Sequence, residues 1–200
     1  MTLKALMVDV DGVVVRDPGG RLWNHNALAD IGLDPGLFHE RFFKVHWPEV
    51  VMGRADLHER LGPVLSEIAP HLTSQAVADY WFTHDGELDH LLLEDLAGMR
   101  ASGLKLHLAT VQEHYRARWL WDQLGLSRHF DAMHYAADYG VGKPDPAFYR
   151  AVEARTGYAG SELLLIDDSL RNVEAALACG WQAVFWDGSR RLSAVLDEVR

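Results

Sequence analysis

Apolar residues run almost unbroken through positions 3–15 (LKALMVDVDGVVV), interrupted by two carboxylates, Asp9 and Asp11, with Gly12 directly after them. A continuous apolar run rich in Val predicts a strand buried on both faces, as in parallel sheets. Residues 13–17, the Pro18-Gly19-Gly20 stretch and residues 21–24 then read as a short hairpin, because Pro and Gly accept tight turn geometry. From about Asn26 to His90 the spacing changes. Apolar residues recur at three and four, as in Leu37, Phe38 and Phe42, and again in Leu57, Leu61, Val64, Leu65 and Ile68. That spacing predicts helices. Asp34-Pro35 and Thr73 are helix starts, and Gly53, Gly62 and Pro70 are expected to break the run into short pieces.

Further on, helices and strands alternate. The pattern predicts helix 91–102 stopped by Gly103, strand 104–109, helix 112–124 stopped by Gly125, and a short strand near 132–136. It continues with helix 146–156, strand 163–166, helix 170–179 stopped by Gly180, and strand 182–185. Such alternation predicts an α/β fold with a doubly wound parallel sheet. Residues 1–16 and 89–200 then form the catalytic core, and residues 17–88 a flap with a helical insertion after the first strand.

Charge narrows the partners. With 29 acidic residues against 19 basic ones the formal net charge is −10, which argues against a nucleic-acid footprint. An anionic small substrate stays open, since a lysine, helix N-termini and a metal ion reverse the field inside one cleft. The single cysteine, Cys179, excludes an intramolecular disulfide. No apolar run is long enough to span a bilayer, and the first residues lack the pattern of a secretory leader. The expectation is a soluble, cytoplasmic protein with no membrane partner. Nothing in the pattern sets an oligomeric state.

The candidate chemistry lies at the strand ends. The first strand ends at Asp9-Val10-Asp11, strand 104–109 runs into Thr110, strand 163–166 runs into Asp167-Asp168-Ser169, and Lys143 lies in a loop before a helix. In open α/β sheets these ends form one crevice. Buried carboxylates need a cation or an opening to water. Carboxylates from two strand ends are hard oxygen donors that suit Mg²⁺ better than zinc. Such a set fits phosphoryl transfer: one aspartate attacks phosphorus, the other moves a proton, and Lys143 with Thr110 stabilises phosphoryl oxygens.

Plainer readings exist for single residues. Asp168-Ser169 could cap the helix after it. GVGK before Pro144 hints at a phosphate loop but lacks its spacing and its Ser or Thr. The eleven histidines include no HExxH pair, which speaks against zinc. Cys179 and the tryptophans read as packing residues.

Four stretches taken in order carry a resemblance: DVDGV, LAT ending at Thr110, GKPDP, and LLLIDDSLRN. Together they resemble the haloacid dehalogenase superfamily of hydrolases. The resemblance implies a Rossmann-like core with a small α-helical cap, Asp9 as nucleophile, and Asp11 as general acid/base. It also implies Thr110 and Lys143 as phosphate-binding residues, and a Mg²⁺ site made by Asp9, the backbone carbonyl of Asp11, and Asp168. Asp167 would be a ligand or a partner of one. The fourth stretch has Asp167 and Asn172 where the common pattern has Gly and Asp, similar to sugar-1-phosphate phosphatases. Asp11 favours ester hydrolysis over dehalogenation, because only the ester's leaving oxygen needs a proton. The implied activity is Mg²⁺-dependent hydrolysis of a small phosphorylated metabolite. A phosphosugar mutase, a haloacid dehalogenase and a non-catalytic phosphate-binding protein are the alternatives.

Overall fold

The computed structural model describes residues 3–16 and 22–197. Its first strand is β1 (Ala5–Val8). Five short helices follow: α1 (Ala27–Ile31), α2 (Pro35–Phe38), α3 (Trp47–Val50), α4 (Leu57–Ile68) and α5 (Ser74–His84). Then come α6 (His90–Ala101), β2 (Lys105–Thr110), α7 (His114–Arg118), β3 (Ala132–Tyr135), α8 (Ala136–Tyr139) and α9 (Pro146–Thr156). β4 (Leu163–Asp167), α10 (Leu170–Ala178), β5 (Gln182–Phe185) and α11 (Leu192–Asp197) complete the order. The five strands form one parallel sheet in the order β3-β2-β1-β4-β5, as the alternating pattern predicts.

β1 is central, and none of its four residues has exposed area. Side chains alternate across the sheet. Leu6, Val8, Leu106, Leu108, Leu164 and Ile166 enter one apolar cluster, while Ala5, Met7, Ala109, Leu163 and Leu165 enter another on the opposite face. Burying a Leu or Val side chain fully contributes roughly 1.5–3 kcal/mol, so covering both faces is what holds this strand in place. Among the described residues no helix is long and apolar enough to cross a membrane.

The helices between β1 and β2 bury their own apolar cluster, including Phe38, Phe42, Leu61, Leu65, Val77 and Trp81. Asp34 caps α2 by accepting from Leu37 N–H at 2.9 Å, and Thr73 caps α5 by accepting from Ala76 N–H at 3.1 Å. Gly62 does not break the chain as expected. α4 passes through Gly62 and Pro63, because Leu57, Leu61, Val64 and Leu65 all face the cluster and their burial outweighs poor helix propensity. Gly53 is required for a close approach: its φ is +70°, and a Cβ there would lie 2.6 Å from the Ala137 carbonyl oxygen in the core.

The hairpin expected over residues 13–24 has its turn outside the described residues. Its described parts differ from expectation. Val15 pairs with Leu88, at the end of the helical insertion, and Trp23–Asn26 form a turn rather than a strand. The chain folds back on itself early, with Val15 N–H donating to Val10 O at 2.8 Å. Helix 112–124 forms as α7 with a π-helical continuation, Trp119–Gln123. α8 and α11 are additional to the elements read from the pattern.

A buried histidine pair lies beside the sheet. His107 Nδ1 is 3.0 Å from His134 Nε2, and His134 Nδ1 is 2.7 Å from the Tyr139 hydroxyl. Each ring keeps one proton whichever way this relay runs. Burial pushes His134 down to about 4, helped by His107 and Arg155. Between about pH 4 and 6.5 the unfolded chain therefore binds the proton more readily than the folded one, so stability falls as pH drops through that window. We expect about 3 kcal/mol from this residue. Urea unfolding at pH 7, 5.5 and 4 measures it, and His134→Gln should flatten the slope.

Candidate active site

β1 sits where the strand order reverses, the position at which α/β sheets bind ligands. Val8 pairs with Ile166, and Asp9 N–H extends the ladder by donating to Ile166 O at 2.9 Å. The register therefore brings Asp9 level with Asp167. Lys143, held on the loop before α9 and without exposed side-chain area, lies between them: its Nζ is 3.0 Å from Asp9 Oδ2 and 2.5 Å from Asp167 Oδ2.

Asp167 is fully buried and saturated with donors. Besides Lys143 it accepts from Ser169 N–H at 2.9 Å and from Asn172 Nδ2 at 3.0 and 3.2 Å. Asn172 thus serves Asp167 from the first turn of α10. A buried carboxylate is tolerated only with such partners.

Asp11 follows the turn after β1 and leaves 55% of its side chain exposed to the cleft. Gln112 Nε2 donates to Asp11 Oδ2 at 2.7 Å and lies 3.4 Å from Thr110 Oγ1. Thr110, at the end of β2, is buried at 1% exposure. Of the six residues predicted for the site, Asp9, Asp167, Asp168 and Lys143 cluster directly, while Asp11 and Thr110 join through Gln112. Gln112, Arg116 and Asp85 are additions that the motifs do not contain, while Asn172, inside the fourth stretch, takes part by holding Asp167. Gln112 stands just before the Glu113 cap of α7 and Arg116 inside that helix, so the chain between Thr110 and α7 brings both polar groups to the Asp11 side of the sheet edge.

Carboxylate oxygens of Asp9, Asp167 and Asp168 lie within 4.8 Å of one another. The Asp11 carboxylate is not in this group. Gly12 leaves room for Asp168: with φ at +77°, a Cβ there would lie 2.0 Å from Asp168 Oδ2. Burial pushes Asp9 up to about 7, against the pull of Lys143, and the charges of Asp167 and Asp11 add to the rise. Asp168 is raised by burial and then by Asp167. Enclosure in the cleft also raises Asp11, opposed first by Arg116. Converging carboxylates that resist ionisation fit a hard divalent cation, which would relieve their repulsion. A cleft of about 510 Å³ adjoins them, lined by Asp11, Gly12, Arg16, His84, Asp85 and Asp168 among others. That is room for a small ligand.

Residues 3–180 match the family model of haloacid dehalogenase-like hydrolases. The chain belongs to this family. Among relatives of this haloacid dehalogenase-like hydrolase, a phosphorylated carbohydrates phosphatase of Thermotoga maritima is 30% identical over 92 residues, 46% of this chain and 43% of that one. A phosphoserine phosphatase of Thermus thermophilus is 32% identical over 99 residues, 48% of this chain and 39% of the other. The match therefore spans less than half the length of either relative.

A family enzyme from Bacteroides thetaiotaomicron, solved in complex with magnesium and inorganic phosphate, has a TM-score of 0.78 at 16% identity, covering 96% of this chain and 98% of that one. A predicted family hydrolase from Porphyromonas gingivalis has a TM-score of 0.77 at 20% identity, covering 100% and 99%. L-2-haloacid dehalogenase from Xanthobacter autotrophicus, with chloropropionic acid covalently bound, has a TM-score of 0.64 at 20% identity, covering 92% and 77%. These likenesses establish the shared fold.

Proposed function

We propose that this haloacid dehalogenase-like hydrolase is a Mg²⁺-dependent phosphatase acting on a small phosphorylated metabolite such as a sugar phosphate. The observation that carries the reading is the placement of Asp9: at the end of the central strand, in contact with Lys143, and within a cluster of three carboxylates. Asp9 attacks phosphorus, the ester P–O bond breaks, and Asp11 gives its proton to the leaving oxygen. Water then attacks the aspartyl-phosphate, passes its proton to Asp11, and releases phosphate and Asp9. Lys143 and Thr110 face the phosphoryl oxygens, and Lys143 also balances the charge of Asp9. Asp9 and Asp168 would hold Mg²⁺ with the Asp11 carbonyl, and Asp167 orients Lys143. Bound there, the ion supplies charge stabilisation to the phosphoryl group.

Asp11 favours this reading over dehalogenation, and free phosphate as product separates it from a mutase. The names of the two phosphatase relatives support the substrate class. Incubation with a panel of phosphate monoesters should release inorganic phosphate with Mg²⁺ present and stop on chelation. A folded chain inactive on the whole panel would sink the reading.

A further inference from the structure

Arg116 heads the fully buried side chains by volume, at 1% exposure. Glu113 caps α7 by accepting from Tyr115 N–H at 2.8 Å and from Arg116 N–H, which fixes the first turn of this helix. The Arg116 guanidinium is thereby aimed at the exit of the helical insertion. Its Nη1 donates to Phe82 O at 2.9 Å, satisfying a carbonyl near the end of α5. Its Nη2 donates to Asp85 O and lies 3.2 Å from Asp85 Oδ2. The same Nη2 is 3.9 Å from Asp11 Oδ1.

Nothing in the packing alone calls for a charge here. The guanidinium lies against the rings of Phe82 and Trp119, 5.4 and 5.1 Å from their centroids, and the two carbonyls it satisfies need only a neutral donor. What the charge meets is two carboxylates and two carbonyls drawn from separate parts of the fold. Phe82 and Asp85 belong to the segment leaving the insertion, which re-enters the core where Arg16 N–H donates to Glu87 O and Asp89 N–H donates to Val14 O, both at 2.9 Å. Asp11 belongs to the turn after β1. Its Oδ2 is held by Gln112 at 2.7 Å while its Oδ1 faces Arg116, so a residue just before α7 and one within it address both oxygens.

We propose that Arg116 is a positioning residue for Asp11, tying the orientation of that carboxyl to the exit of the helical insertion at Phe82 and Asp85. This role rests on the phosphatase reading above, in which Asp11 protonates the leaving oxygen. Arg116 does not touch substrate. Its effect therefore depends on how much the leaving group needs a proton: an alkoxide needs one, whereas p-nitrophenolate leaves without help.

The test compares kcat and KM of the full-length wild type and Arg116→Lys, with Mg²⁺, on p-nitrophenyl phosphate and on the alkyl phosphate that the wild type turns over best. For the variant, kcat on the alkyl ester should fall by on the order of 10²-fold and on the aryl ester by less than about threefold, with KM nearly unchanged. Equal losses on the two esters by a folded variant overturn the positioning role and leave the phosphatase reading standing. A wild type that turns over neither ester overturns both. Should circular dichroism show Arg116→Lys unfolded, Asp85→Asn carries the test, because the Asp85 side chain is 36% exposed and its loss spares the core. It should show the same preference at about tenfold. Equal loss on the two esters, or no loss, overturns the proposal.

Discussion

Asp9→Asn should abolish phosphate release while leaving the protein folded. The amide keeps the size and can still accept the Val10 N–H bond that Asp9 Oδ1 accepts at 2.8 Å, but it offers no anionic oxygen to phosphorus. A lost nucleophile lowers kcat by on the order of 10⁴-fold or more. Stability should hold or rise. Asp9 resists ionisation because it is buried, with the charges of Asp167 and Asp11 adding to the rise, so a neutral side chain removes a desolvated charge and that repulsion, and Lys143 retains Asp167 at 2.5 Å. Phosphate release and thermal unfolding measured on one preparation separate the two effects. Full activity in the variant would place the nucleophile elsewhere.

Lys143→Met should damage the fold as well as the reaction. The ammonium is enclosed between Asp9 and Asp167, and Asp167 has no exposed area. Removing one partner of a buried ion pair costs about 3–5 kcal/mol, because the remaining charges stay desolvated. The pH dependence follows from the sign of that burden. Asp9, raised in the folded state by burial, binds a proton more readily there than in the unfolded chain, so the variant loses stability as pH rises above about 4, the ordinary carboxylate range. Urea unfolding at pH 5 and pH 8 should show the variant closer to wild type at the lower pH. Equal stability at both would mean that Lys143 does not neutralise the pair.

How far the site was legible depended on how improbable each residue was in its setting. Asp9 and Asp11 stand out because carboxylates at the end of a Val-rich strand are costly without partners. Asp167 and Asp168 stand out for the same reason at the end of β4, and Lys143 and Thr110 fall at the matching edge. Gln112 and Arg116 do not stand out: a polar residue near a helix start is ordinary, and 101 positions separate Gln112 from the Asp11 carboxylate it holds. Asn172 looked like a departure from a metal-binding pattern, yet it donates to both oxygens of Asp167.

The fold divides in the same way. The apolar runs over β1, β2 and β4 and the period-3.6 patterning over α4 and α9 are local, and they determined the α/β class and the order of elements. Gly62 was read as a break because helix propensity is local too, whereas the apolar stripe of α4 is paired only by the helices packed on it. Which strands are neighbours, that Val15 meets Leu88, and that Arg116 spans α5 and Asp11 are facts of chain crossing, and residue type carries no record of them. The sequence by itself determined which carboxylates stand at the strand ends and need a partner or a cation there, since burying them demands it. Only the tertiary structure decided which neutral or paired side chains hold them there, because that depends on distance across the fold and not along the chain.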